Sequence, residues 1–262
     1  MSGPTIAVIT GASSGLGEAF ARQVDAHPAF AGVGEIWLVA RREARLQALA
    51  SGLASGRGVA VVADLSLGSG VEVVLARAQT SGARVRLLVN NAGVGLLGPL
   101  LEQSPEAIAG LLDLNVRAGT LLLRGLASRM DAGAGVLQVA SAAAYVPAPY
   151  FAVYAASKSY ALALALALRE EWRERGISVC TACPGPVETE FFAAAGASRP
   201  QAGMAPDRVV ALALRDLLEG RPVSHAGIGP RLLARLAAVA PRSVLVRLAG
   251  RRNLGRAPVR QT

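Results

Sequence analysis

The chain has 262 residues, 52% of them hydrophobic but only 4% aromatic, which allows one large α/β domain with a core of Ala, Val and Leu. No apolar run approaches the roughly 20 residues of a membrane span, and the first strand-like run starts at Thr5, too early for a secretory leader, so a soluble cytoplasmic protein is expected. The formal charge of +9 lies wholly beyond Glu219, where nine arginines meet no acid, and without aromatic interleaving or a recognised motif this argues against a nucleic-acid partner.

Thr5 to Thr10 (TIAVIT) is a β-branched apolar run that reads as a buried strand. It feeds Gly11-Ala-Ser-Ser-Gly15-Leu-Gly17 and then a helical pattern through Phe20, Ala21 and Val24. Strand, glycine turn and helix in that order set a dinucleotide pyrophosphate on a helix N-terminus. Gly11 permits the sharp turn, Gly15 the close approach of phosphate, and Gly17 the packing of helix on strand.

A second strand, Glu35 to Ala40, ends in Arg41-Arg42, and a helix with Leu46 and Leu49 follows. Ala40 occupies the place where an acid would hold the ribose 2′-hydroxyl of NAD. Arg41 comes next and suits a 2′-phosphate, so NADP(H) is expected in preference to NAD(H). Further strands are expected at Val59 to Ala63, Arg86 to Asn90, Val136 to Ala140 and Ile177 to Ala182. Helical segments separate them, at about Gly68 to Ser81, Ser104 to Met130 and Tyr150 to Arg175. Apolar strands alternating with helices indicate a single-domain, Rossmann-like, doubly wound parallel sheet with helices on both faces. Ligands bind beyond the carboxyl ends of such strands. Asp64, Asn91, Ser141 and Thr189 all fall there.

Lys158 is the sole lysine of the chain, and every other basic residue is arginine. An ammonium kept at one position points to a task for which a planar guanidinium does not serve. Tyr154 lies one helical turn before it, where a fixed cation would favour the phenolate and bring its pKa down towards neutrality. The helix continues as Ala161 to Leu168 (ALALALAL), made of strong helix formers and apolar on every side. One face is expected on the sheet and the other on a second subunit, in a homodimer or homotetramer. Cys180 and Cys183 alternate faces on a strand and read as buried free thiols, and neither His27 nor His225 has partners at metal-ligand spacing, so no metal site is expected. Phe191 to Met204, with small residues and no periodicity, is a candidate lid.

Together these residues resemble the short-chain dehydrogenase/reductase family over about residues 5 to 190. The likeness rests on Thr10-Gly11-x-x-x-Gly15-x-Gly17, Asn90-Asn91-Ala92-Gly93, and Pro184-Gly185 with Thr189. Asn115, Ser141, Tyr154 and Lys158 match the family's catalytic tetrad in order and approximate spacing. The resemblance implies a cofactor site drawn from Gly11, Ser13, Ser14, Gly15, Leu16, Gly17, Asp64 and Leu65. It continues through Asn91, Ala92, Gly93, Pro184, Gly185, Val187 and Thr189, with Arg41, Tyr154 and Lys158. It further implies that Tyr154 exchanges the proton, Ser141 hydrogen-bonds the substrate oxygen, Lys158 binds the nicotinamide ribose, and Asn115 holds a water linking Lys158 to solvent. The expected substrate is a small, largely apolar carbonyl compound or secondary alcohol. The alternatives are a dinucleotide-binding regulatory or scaffold protein, and an epimerase or dehydratase using the same Tyr and Lys.

Residues 1–220 are expected to form the catalytic domain and 221–262 a basic amphipathic extension packed on it. Leu232, Leu233, Leu236, Val239, Leu245, Val246 and Leu248, with Arg231, Arg235, Arg242 and Arg247 interspersed, fit two short amphipathic helices broken at Pro241. Three readings stand for them: packing on the domain with a solvated arginine face, a weak membrane-surface contact, or a rim that attracts anionic substrates.

Overall fold

β1 (Thr5–Thr10) buries Ile6, Ala7, Val8 and Ile9 completely, as a strand covered on both faces must. The computed structural model describes residues 3–196 and 203–254. Along the chain follow α1 (Gly15–Ala26), β2 (Glu35–Ala40), α2 (Glu43–Ser51), β3 (Gly58–Val62), α3 (Gly68–Thr80) and β4 (Arg84–Asn90). The second half contains α4 (Pro105–Leu112), α5 (Gly119–Leu126), β5 (Gly135–Val139), α6 (Ala152–Glu171) and β6 (Ser178–Ala182). It closes with α7 (Phe191–Ala194), α8 (Pro206–Leu218), β7 (Val223–Ser224), α9 (Ile228–Val239) and α10 (Arg242–Leu254).

The seven strands pair in the order β3-β2-β1-β4-β5-β6-β7, all parallel. Strand order reverses between β1 and β4, and there a crevice opens beyond the carboxyl ends. One sheet face packs with Val74 of α3, Leu122 of α5 and Ala165 of α6. The other packs with Phe20 of α1, Leu46 of α2 and Leu214 of α8. This is the expected doubly wound α/β fold.

Two details differ from the sequence expectation. The helix expected from Ser104 to Met130 is interrupted by a π-helical turn at Asp113–Ala118. α8 and the two-residue strand β7 were not anticipated, and α8 supplies much of one sheet cover through Val210, Ala213, Leu214 and Leu217. The alanine-leucine run of α6 buries Ala161 and Ala165 but leaves Leu166 and Tyr160 exposed, so within one chain it is covered on one face only. Cys180 and Cys183 are both buried and free. Among the described residues there is no helix long and apolar enough to cross a membrane and no metal-ligand cluster.

Candidate active site

The turn after β1 is held by backbone and by one hydroxyl. Thr10 Oγ1 donates to the Val89 carbonyl at 3.3 Å and accepts from the N–H groups of Asn91 and Ala92, both at 2.9 Å. Asn91 Nδ2 returns a bond to the Thr10 carbonyl at 2.8 Å, which locks the ends of β1 and β4 together. Gly11 and Gly15 adopt φ of 68° and 57°, where a side chain would be strained. A Cβ on Gly17 would lie 2.1 Å from the Gly11 carbonyl oxygen, so helix and turn touch there without room for a methyl group. Ser14 precedes α1 without a side-chain cap, which leaves the first-turn N–H groups of the helix to the crevice.

A cleft of about 730 Å³ runs from this turn to the end of β5 and α6. Of the expected site residues, all but Gly17 and Asn115 line it. Ser141 follows β5 and starts a short 3₁₀ turn, its Oγ accepting from the Ala143 N–H at 3.1 Å. Tyr154 and Lys158 stand one turn apart on α6, with the ammonium 5.7 Å from the phenol ring centroid. Lys158 is 5% exposed, and its Nζ donates to the Val139 carbonyl at 3.0 Å.

Burial pushes the Tyr154 phenol up to about 12, with a Ser141 hydrogen bond pulling the other way. Burial likewise brings the Lys158 ammonium down to about 8. The expected phenol lowered towards neutrality is therefore not what the chain gives by itself. Removal from water costs the phenolate more than its neighbours return, and the same dry surroundings weaken the hold of Lys158 on its proton.

Asn115 sits inside the π-helical turn, and its carboxamide works as a strap. Oδ1 accepts from the Val94 N–H at 2.9 Å, while Nδ2 donates to the Val94 carbonyl at 2.9 Å and to Ser157 Oγ at 3.0 Å. It thus ties the segment after β4 to the helix turn between Tyr154 and Lys158. A Cβ on Gly93 would lie 3.1 Å from Asn115 Oδ1 and 3.2 Å from Lys158 Nζ, so the bare glycine lets both atoms close in.

Several contributors escaped the sequence reading. Arg42, rather than Arg41, reaches over the glycine turn, with Nε donating to Ser13 Oγ at 3.0 Å and Nη2 to Ser14 Oγ at 2.6 Å. Its Nη1 meets Glu190 at 2.8 Å, and Arg45 meets the other oxygen of the same carboxylate at 2.8 Å. The hydrogen bonds from Arg42 and then Arg45 hold Glu190 below the usual carboxylate range. Arg41 leans instead on Asp64, 3.8 Å away. Partial burial would raise the Asp64 carboxyl, but hydrogen bonds from Ser66 and the charge of Arg41 keep it low. The sequence pair Arg41-Arg42 carried the signal, but strand end and helix start do not reveal which guanidinium turns inward.

Aromatic cover was missed as well. The Tyr154 ring stacks on Phe151 at 4.3 Å between centroids and meets Phe191 at 5.3 Å on another side. Phe191 belongs to the candidate lid, whose residues 197–202 lie outside the described residues. Its stem is closed by the bridge between Val187 and Met204. Tyr145 does not line the cleft and hydrogen-bonds His225 at 2.9 Å. From the tail, Leu233, Leu236, Leu245, Leu248, Ala249 and Asn253 line the far side of the cleft. Asn253 donates to the Pro149 carbonyl at 3.0 Å, and Pro230 packs 3.3 Å from where a Cβ on Gly185 would stand.

A doubly wound sheet with a glycine turn at its switch point and a buried Tyr-Lys pair beside it defines a dinucleotide-dependent oxidoreductase class. The family model described as short chain dehydrogenase matches residues 5–200, and the chain belongs to that family. It is 32% identical over 195 residues to a short chain dehydrogenase of Pseudocercospora fijiensis, a match that covers 71% of this chain and 61% of that protein's length. Among solved structures it resembles a short-chain dehydrogenase from Sphingobium yanoikuyae in complex with NADPH, at 30% identity and TM-score 0.78 over 90% of this chain and 93% of that one. A Burkholderia phymatum short chain dehydrogenase/reductase in complex with NAD aligns at 25% identity and TM-score 0.77, over 99% and 98% of the two chains.

Proposed function

We propose that the chain reduces a carbonyl, or oxidises the corresponding secondary alcohol, on a largely apolar molecule, with NADP(H) as preferred cofactor. The observation that carries this reading is the buried Tyr154–Lys158 pair at the inner end of the cleft, opposite the glycine turn. The residues present fit a nicotinamide dinucleotide. The uncapped first turn of α1 suits the pyrophosphate, the Arg42 guanidinium with Ser13 and Ser14 suits a 2′-phosphate, and Asp64 with Leu65 borders the adenine end. Asn91, Ala92, Gly93, Pro184, Gly185, Val187 and Thr189 would flank its nicotinamide half. When bound, the nicotinamide supplies or accepts the hydride.

The chain's own residues would manage the rest. A phenol raised to about 12 stays protonated at neutral pH, so Tyr154 is a proton donor to the carbonyl oxygen in the reductive direction. Ser141, whose Oγ accepts from the backbone and whose hydroxyl hydrogen-bonds Tyr154, would turn its O–H to the same oxygen as negative charge develops. Lys158 would hold the nicotinamide ribose, and Asn115 would fix Val94 and the α6 turn that carries the pair. Phe151, Phe191 and the tail leucines would exclude water and favour an apolar body beside the reacting carbon. The exposed outer face of α6 supports a homo-oligomer assembled through that helix.

The test is Tyr154→Phe, assayed by NADPH consumption over a broad carbonyl panel. Turnover should fall by about a hundredfold to ten-thousandfold with NADPH affinity nearly unchanged. A variant that keeps a tenth of its rate removes the proton role.

A further inference from the structure

The outer side of the tail is unlike the rest of the surface. α9 has no buried residue, and Ile228 and Val239 are 85% and 81% exposed, with Leu232 and Leu236 exposed between them. Steps of four, four and three residues put these side chains in one stripe along the helix. Arg231 and Arg235, one turn apart, run along its edge. α10 also exposes Val244, Leu248 and Leu254, with Arg247 and Arg251 exposed among them. Residues 220–254 contain seven arginines and no acid. Leu236 and Leu248 face both ways, since each is exposed and each also lines the cleft. The outer apolar surface is therefore continuous with the end of the cleft assigned to substrate.

An occupant of this face must take up apolar side chains and balance cations. A second copy of the chain fails on charge, because self-pairing would bring two arginine-rich, acid-free surfaces together. An anionic bilayer surface satisfies both demands: leucine, isoleucine and valine enter the acyl boundary while arginines reach back to headgroups. Helices of 12 and 13 residues lie in the interface rather than cross it.

We propose that α9 and α10 dock the protein on an anionic lipid surface, and that the mouth between Leu236 and Leu248 opens into that lipid. The substrate of the proposed reductase would then be a lipid-dissolved ketone or alcohol, a corollary that rests on the functional reading above, whereas the docking itself does not.

The full chain is tested by co-sedimentation with vesicles of phosphatidylcholine alone or mixed with phosphatidylglycerol, at low and high salt. Binding should require phosphatidylglycerol and fall at least about tenfold at high salt. The double variant Ile228→Asp/Val239→Asp, altered only on the outer face, should lose binding while keeping the wild-type melting curve and NADPH affinity. Arg231→Glu/Arg235→Glu should lose the lipid preference. Native Trp37 and Trp172 are buried, so tryptophan placed by Leu232→Trp or Leu248→Trp reports its own site. Brominated phosphatidylglycerol should quench both. Quenching at 232 alone overturns the orientation of the mouth. No sedimentation of wild type, or equal sedimentation with both lipids at any salt, overturns docking. So does a dimer by equilibrium ultracentrifugation that Ile228→Asp/Val239→Asp abolishes without any vesicle binding. A protein that binds vesicles and NADPH but reduces no carbonyl would remove the reductase reading and leave docking intact.

Discussion

The floor and the roof of the cleft are built on different principles. The floor consists of strand ends and the turns after them. Its positions are set by backbone pairing, by the Thr10 hydroxyl, and by glycines whose missing methyl groups allow contact. The roof consists of α7, α9 and α10, held by side chains such as Asn253 on Pro149 and Glu190 on Arg42 and Arg45. A floor fixed by main chain leaves little latitude in shape. A roof of half-buried leucines can be reshaped at small cost, which would suit the apolar substrate proposed above.

The sharpest contrast pairs one substitution from each. Gly17→Ala would force a methyl group against the Gly11 carbonyl, a backbone atom that cannot swing aside. About 3 kcal/mol or more of stability should be lost, a fall of about 6–12 °C in Tm. Leu245→Ala in the roof should cost about 1 kcal/mol, a fall of about 2–4 °C, with NADPH affinity unchanged. Comparable losses by calorimetry would erase the distinction.

Floor and roof meet at Arg42. Arg42→Ala should weaken NADPH about 10-fold to 100-fold and NADH much less, since a charge-assisted contact to the extra phosphate is lost. Arg41→Ala should do less, because that guanidinium leans on Asp64. The reverse order in fluorescence titrations would restore Arg41 to the phosphate.

The mildest effect is a titration. With a single lysine in the chain, ¹³C-lysine labelling gives one side-chain Cε resonance. Its midpoint in the cofactor-free protein should fall near 8 rather than at the ordinary 10.5. Because burial depresses this amine, the folded state binds fewer protons than the unfolded chain between those two values. Stability should therefore rise with pH across that window, by linkage. A midpoint near 10.5 would mean that water reaches the ammonium.

How far the sequence could be read follows the same division. β1, β2, the glycine turn and the Tyr154–Lys158 spacing are local patterns, and they were legible because backbone rules connect them directly to position. Arg42 was passed over in favour of its neighbour because inward orientation depends on Ser13, Ser14 and Glu190, which lie far apart in sequence. Phe151 and Phe191 gave no periodic signal, although both flank the phenol. The direction of the Tyr154 shift was misjudged because a neighbouring charge can be seen in a sequence, whereas loss of water is a property of the folded interior.

The π-helical turn at Asp113–Ala118 has a consequence for chain length. One surplus residue is accommodated as a bulge between the two helical halves, and Asn115 sits on it. Deleting one residue of the six would let the turn close into regular α-helix, with α4 and α5 still presenting the same faces. Leu122 and Leu126 would stay in the interior, while Asn115 would release Val94 and Ser157. The extra residue therefore serves the cleft and not the core: it turns one carboxamide inward without displacing the helices on either side.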